Sequence, residues 1–356
     1  MKICLIAPAP PPYGGIANWY ILLTNHIKKD IDIDFININI TPQKGDMNGR
    51  TLTQRIVQGV ESIMTTSYKL KKIKKSQNID VIHMTTSGRL AVFRDIILLK
   101  KAKKYKIPSV YHLHFGRVPE ISRRNTFEWK LLKRACKLAS CVVPIDKRTY
   151  DVLNSDTNLN VKMIANPFDI STIENIDSEV NKEKSIVFVG WVIKTKGIEE
   201  LLEAWNILDN QLDGYKLKIV GAYQENYIKE LKSRYSFNNV ELVGELNHQD
   251  TLKEIKKACC MVLPSYTEGF PNVILEAMAL KTAVIATDVG AIPEMIDESG
   301  IIIKKESIQD IIDGVLKIVA DNTFRKQCED RAYKKLINEY EMQVVYNKYK
   351  QLWLDL

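Results

Sequence analysis

The sequence predicts an α/β protein built from two doubly wound domains, and three observations predict it. Strand-like apolar runs alternate with helix-period stretches along nearly the whole chain, which calls for parallel sheets covered on both faces. The alternation comes in two series, separated by a polar, acidic stretch from Asp169 to Lys184 without sustained period. The length, 356 residues, exceeds what a single core usually holds. The expected division is a first domain over 1–168, a connection over 169–184, a second domain over 185–338 and a closing helix over 339–356.

The first series opens with a strand over Ile3–Ala7 and a proline-rich loop ending in Gly14-Gly15, from which a helix runs through Trp19, Leu22, Leu23 and Ile27. Position 18 is Asn, so the loop is not the G-x-G-x-x-G of dinucleotide binders. Such a loop is either a simple tight turn or a place where a phosphate or carboxylate approaches the backbone. Ile31–Ile40 alternates as a strand, and Asp30, Asp32 and Asp34 read as a solvated face at its start rather than as metal ligands. Helices follow over about 51–77 and 90–106, each ending in a lysine run. A strand over Asp80–Met84 lies between them. The stretch from Pro108 to Gly116 is a strand ending in His114, with His112 on the same side. A histidine at that place is either a core residue bonded to backbone or a group facing the ligand crevice of an open sheet. A helix over Thr126–Ala139 and a strand over Ser140–Ile145 close the series.

The second series starts with a strand over Ser185–Gly190 and a loop carrying Lys194 and Lys196, where an ammonium can meet a diphosphate. A helix over Ile198–Leu208, a strand ending at Gly221, a helix near 226–235, a strand over Val240–Gly244 and a helix over Gln249–Ala258 come next. They lead to the most informative stretch. A buried strand, Met261–Pro264, gives way to a loop with Glu268, Gly269 and Phe270. Pro271 suits the first turn of a helix, where its missing N–H costs nothing. The helix continues from Asn272 to Leu280 and is almost wholly apolar except for Glu276. A carboxylate there is costly without a partner, and a helix N-terminus after a glycine loop suits a phosphate. Ala283–Ala286 is a further strand, Asp288 to Glu294 turns into a helix, and 324–356 is mainly helical.

Composition narrows the function. The net charge of +8 divides unevenly: residues 1–170 hold 28 Lys and Arg against 13 Asp and Glu, the remainder 23 against 30. A basic first domain favours an anionic surface. Its lysine runs lack interleaved aromatics, which speaks against nucleic acid. The six cysteines form no C-x-x-C pair and read as buried thiols in a reducing compartment. The apolar run at the N-terminus is too short for a signal peptide, and no run approaches the roughly 18 residues that span a bilayer. A cytoplasmic protein is expected.

Several motifs agree in order: Gly14-Gly15, His112-x-His114, Phe188-Val-Gly190 with Lys196-Gly197, Glu-Gly-Phe-Pro-Asn-Val-Ile-Leu-Glu over 268–276, and Asp288-Val-Gly-Ala-Ile-Pro-Glu294. Taken together the chain resembles the family-four retaining glycosyltransferases of GT-B fold. The resemblance implies two Rossmann-like domains facing across a cleft, with the final helix crossing back to the first. It implies a nucleotide-sugar donor held by the second domain and a saccharide or polyprenyl-diphosphate-linked acceptor held by the first. By position, it puts Glu268 on the donor-sugar hydroxyls and Glu276 on the ribose. The amides around Gly269 and Phe270, at the Pro271-Asn272 helix start, then meet sugar and phosphate. Lys196 meets the diphosphate, backed by Lys194. Gly15 lets backbone approach the diphosphate, and His114, with His112 second, stands near the reacting sugar. Many relatives place an arginine where this chain has Trp191, so Lys194 is the candidate substitute for that cation. No cofactor and no metal are expected. A UDP-sugar is the default donor ahead of GDP-mannose, in bacterial surface-polysaccharide synthesis with peripheral contact to an anionic membrane. The alternative is a sugar-nucleotide epimerase of the same architecture.

Overall fold

The computed structural model describes residues 1–11, 14–41, 52–176 and 180–356, with side chains in the helix that starts at Leu52 described from Gly59 onward. Pro12 and Tyr13 of the proline–glycine loop, Thr51, and 177–179 of the expected connection lie outside the described residues. The chain forms two compact units, Met1–Pro167 with Met342–Leu356, and Phe168–Glu341.

In the first unit, β1 (Lys2–Ala7), β2 (Asp34–Asn39), β3 (Val81–Thr86), β4 (Ser109–Leu113) and β5 (Cys141–Pro144) form a parallel sheet in the order β2-β1-β3-β4-β5. The apolar residues of β1 alternate between its two faces, as the period of a strand requires. Cys4 and Ile6 join a core with α2 (Leu52–Ser76), α3 (Ala91–Lys104) and α5 (Phe127–Cys136), through Leu70, Leu99 and Leu132. Ile3 and Leu5 join the opposite core with α1 (Gly15–Ile27) and the last helix, α14 (Met342–Leu354), through Leu23, Val345 and Trp353. Two short helices, α4 (Val118–Arg123) and α6 (Lys147–Asn154), complete the unit and were not anticipated from the sequence.

The aspartates before β2 do more than face water. Lys350 of α14 reaches Asp30 at 2.7 Å and Asp32 at 3.1 Å, and the Tyr346 hydroxyl donates to Asp30 at 2.8 Å. The Lys350 hydrogen bond holds the Asp30 carboxyl down to about 2. The expected solvated face is thus an anchor for the last helix.

In the second unit, β6 (Ser185–Val189), β7 (Lys216–Val220), β8 (Val240–Gly244), β9 (Cys260–Leu263), β10 (Ala283–Thr287) and β11 (Ile301–Ile303) form a parallel sheet in the order β11-β10-β9-β6-β7-β8. The connecting helices are α7 (Ile198–Leu208), α8 (Glu225–Arg234), α9 (His248–Lys257), α10 (Asn272–Ala279), α11 (Ile292–Ile296), α12 (Ile308–Ala320) and α13 (Asn322–Lys335). β11 and α12 were not anticipated. The strand order reverses direction between β6 and β9, the place in such a sheet where a crevice opens outside the strand ends.

Residues 180–184 are part of this unit rather than a free connection. Glu183 and Glu254 both pair with the buried Lys218 of β7, at 2.9 and 2.7 Å, and Lys182 donates to Thr282 at 2.8 Å. At the other end, the Phe168 N–H donates to the Tyr340 carbonyl at 2.7 Å. All six cysteines are free and buried, as their spacing suggested.

Candidate active site

Three loops meet where the second sheet reverses. The one after β6 turns through a 3-10 turn, Lys194–Lys196, into Gly197, whose φ of 71° is open to glycine at little cost. A Cβ on Gly197 would come within 2.1 Å of the Pro264 carbonyl oxygen, so the loop after β9 lies directly against it. The Tyr266 N–H donates to the Thr195 carbonyl at 2.9 Å and locks the two loops together. The loop after β10 packs on them in turn. Gly290, at φ 55°, leaves only 2.3 Å between an added Cβ and the Glu268 carbonyl oxygen, and the Ala291 N–H donates to the Gly269 carbonyl at 3.0 Å. The motif over 288–294 therefore supports the Glu268 loop from below.

This packing brings Lys196 and Glu268 together, with Nζ 2.6 Å from Oε1 and both side chains largely covered. Phe270 is buried with its ring 5.8 Å from that of Tyr340, which fixes the loop before the helix. Pro271 is not in the first turn, as expected, but caps it: its ψ of 109° is extended, and Asn272 is the first helical residue. A residue at that position still loses nothing by lacking an N–H. No side chain caps the α10 N-terminus, and the Asn272 Oδ1 is buried without a protein partner among the described residues.

Glu276 does have a partner, and the sequence reading missed it. His248, the first residue of α9, places Nε2 3.0 Å from Glu276 Oε1. That hydrogen bond raises the imidazole above its ordinary value of 6.5, against the opposing pull of burial. The unexplained carboxylate was the available signal, but no local spacing pointed to a residue 28 positions earlier. Lys194 is not drawn to Glu268. It stays exposed, 4.0 Å from Glu199, which Arg234 and Tyr227 already hold at 2.8 and 3.0 Å. Trp191 is exposed as well.

In the first unit, Gly15 is the first residue of α1, and a Cβ there or on Gly14 would meet nothing within 4 Å. No packing neighbour among the described residues therefore requires either glycine. His114 follows β4 and is one of three imidazoles in contact. His83 of β3 places Nε2 3.1 Å from His112 Nδ1, and His114 places Nε2 3.2 Å from the same atom. Trp19 packs edge-on or tilted against all three, with ring centres 5.0 to 5.3 Å away. Burial pushes His83 and His114 down to about 3, and His112 well below its ordinary range, with the neighbouring imidazoles adding to the effect there. In the sequence His83 shows only as part of a strand. A polar ring inside an otherwise apolar run was the signal. Among the described residues no set of three or more His, Cys, Asp or Glu is disposed to hold a metal ion.

Residues 169–335 match the family described as glycosyl transferases group 1. The capsular polysaccharide biosynthesis glycosyltransferase CapM of Staphylococcus aureus is 28% identical over 49% of this chain and 47% of its own length, so the match spans about half of that relative. Two solved structures are alike over nearly the full length. Sucrose-phosphate synthase from Thermosynechococcus elongatus has a TM-score of 0.78 at 16% identity, covering 99% of this chain and 98% of that one. HepE of Anabaena, in complex with UDP, has a TM-score of 0.71 at 17% identity and covers both chains completely. With its two parallel Rossmann-like sheets the chain has the GT-B fold of these neighbours, and the match to the group 1 glycosyl transferases covers 169–335, which holds the second unit's loops just described.

Proposed function

We propose that the chain is a retaining glycosyltransferase that moves a sugar from a nucleoside-diphosphate sugar to a saccharide or lipid-linked saccharide acceptor in surface-polysaccharide synthesis. The observation that carries the donor site is the Lys196–Glu268 pair, beside an uncapped helix start at the switch point of the second sheet. An ammonium, backbone amides and a helix N-terminus stabilise a departing diphosphate, and Glu268 reads sugar hydroxyls. Glu276, oriented by His248, reads the ribose, and on the first unit the Cβ side of Gly15 is open, as the approach of an anion to its backbone needs. In the reaction the bond between the anomeric carbon and the phosphate oxygen breaks, and its electron pair goes to that oxygen. The acceptor oxygen then bonds to the anomeric carbon from the same face and passes its proton to the departing phosphate. Charge stabilisation by these groups requires no metal. A UDP-sugar is favoured over GDP-mannose, because a neighbour of the same fold is in complex with UDP.

The first unit supplies the surface for an anionic membrane. Val60, Met64 and Tyr68 on α2, Leu90 just before α3, and Phe93 and Ile97 on α3 are exposed, and in sequence they precede the exposed Lys71, Lys72, Lys75, Lys100 and Lys104 of the same helices. No helix among the described residues is long and apolar enough to cross a membrane.

The test is a panel of nucleotide sugars, assayed for thermal shift and for transfer to acceptor. One UDP-sugar should stabilise the protein and be consumed only with acceptor present, with or without a chelator. Glu268→Ala should lower transfer by about a hundredfold or more with the fold intact. Turnover near that of the unaltered enzyme would refute the donor assignment, and interconversion of the donor without acceptor would reveal an epimerase.

A further inference from the structure

We propose that Trp353, on the last helix, fixes which way His114 can hydrogen-bond, acting through His83 and His112 as positioning residues. The argument starts from a group with one possible role. An indole N–H donates and never accepts. Trp353 Nε1 lies 3.0 Å from His83 Nδ1, so that nitrogen accepts and carries no proton. A neutral imidazole has one N–H, which on His83 must then be on Nε2. This Nε2 lies 3.1 Å from His112 Nδ1, so His112 Nδ1 accepts in its turn and the His112 proton sits on Nε2. His114 Nε2 lies 3.2 Å from the same His112 Nδ1. Two lone pairs at that distance repel. An N–H on His114 Nε2 instead shares the one lone pair of His112 Nδ1 with the His83 N–H, a three-centre arrangement that is favoured over facing lone pairs and leaves His114 Nδ1 bare.

His83 and His112 are fully buried and His114 partly so, and burial opposes the protonated form that would erase this polarity. The chain of bonds ends in two unused atoms. His112 Nε2 and His114 Nδ1 are buried without a partner among the described residues. An unmade hydrogen bond in such a place is expensive. His114 Nδ1 is an acceptor, so its natural partner is a donating hydroxyl, and a sugar hydroxyl is the chemical class it fits. This last step rests on the proposed role of His114 near the reacting sugar, whereas the polarity of the chain does not. Trp19 and Tyr349 close the arrangement: Trp19 Nε1 donates to the Tyr349 hydroxyl at 3.0 Å, so neither competes for the histidine nitrogens through that bond.

The polarity can be read directly by nitrogen NMR of the full chain with labelled histidine at neutral pH. His83, His112 and His114 should each show a protonated Nε2 and a bare Nδ1, with hydrogen-bonded Nδ1 signals on His83 and His112. A protonated Nδ1 on any of the three would overturn the proposal. Two variants separate polarity from packing. In His83→Gln the amide can still accept from the indole and donate to His112, so the His114 pattern and turnover should be kept. In His83→Leu the volume is similar but the chain is cut. His112 and His114 should then populate both tautomers, and kcat should drop about tenfold with donor KM unchanged. A purely structural role would make the two variants behave alike. If the tautomers scramble in His83→Leu and kcat does not move, the positioning role is overturned. The Glu268→Ala result still judges the donor reading on its own, since Glu268 belongs to the other unit.

Discussion

At the scale of single residues, the candidate site of the second unit holds two carboxylates with two distinct partners. Glu268 meets Lys196 and Glu276 meets His248. Both residues of the first pair stand out in the sequence as separate ligand contacts, but their contact with each other comes only from the packing of their loops. The second was half legible: the odd position of Glu276 on an apolar helix was visible, but its partner comes from another loop. His248 is also a pH-dependent element. Its pairing raises the folded value above the ordinary 6.5, so the stabilisation is fully present below about that pH and fades as pH rises through the raised folded value. His248→Asn should therefore lower the melting temperature at pH 6 and make little difference at pH 9. An equal effect at both would show that the bond does not depend on charge. Because half the His248 side chain is exposed, the shift should be small.

At the scale of elements, the strand–glycine–helix units were readable from the sequence because each glycine interrupts an apolar period at a strand end. What could not be read was which loop a glycine serves. Gly290 is 22 residues from Glu268, and only the sheet order brings them together. Gly290→Ala should cost about 1–2 kcal/mol from the left-handed backbone alone, and the clash with the Glu268 carbonyl adds to it. Donor affinity should fall further than stability, measured by titration against thermal unfolding. Equal losses would mean that the glycine serves only the fold. The short α4 and α6 escaped the sequence reading because they span one or two turns, too few for a period to show. The exposed faces of α2 and α3 also belong to this scale. Binding to vesicles should need anionic lipid, weaken with salt, and drop with Met64→Ser or Phe93→Ser. Equal binding to neutral vesicles would refute the lysine contribution.

At the scale of the whole molecule, the two parallel sheets were legible because alternation of strand and helix leaves few other arrangements. The limits of the units were less so. The stretch before β6 looked like a connection from its acidity, yet Glu183 and Lys182 are bound into the second unit. The final helix was expected to return to the first unit only by resemblance. Its attachment rests on residues no pattern linked: Lys350 with Asp30, and Trp353 with His83. Met342, Val345, Tyr346, Tyr349, Leu352 and Trp353 are all buried in the first unit. Burying each contributes about 1.5–3 kcal/mol before the cost of ordering the helix, so without them the first unit loses a large part of one of its two cores. Removing 342–356 should abolish cooperative unfolding of the first unit and make it sensitive to protease, while Phe168–Glu341 keeps its own transition. A first unit that stays resistant would show that the helix merely rests on it.

The same helix sets an order of events when the chain is made. A ribosome releases residues 1–167 first, but one face of their sheet waits for α14, which follows the entire second unit. Residues 168–341 can therefore close their own core while the earlier part is still open. The half of the protein that is synthesised first is completed last. Until then, Trp19 and the faces of β1 and β4 offer apolar surface to a chaperone or to another unfinished chain.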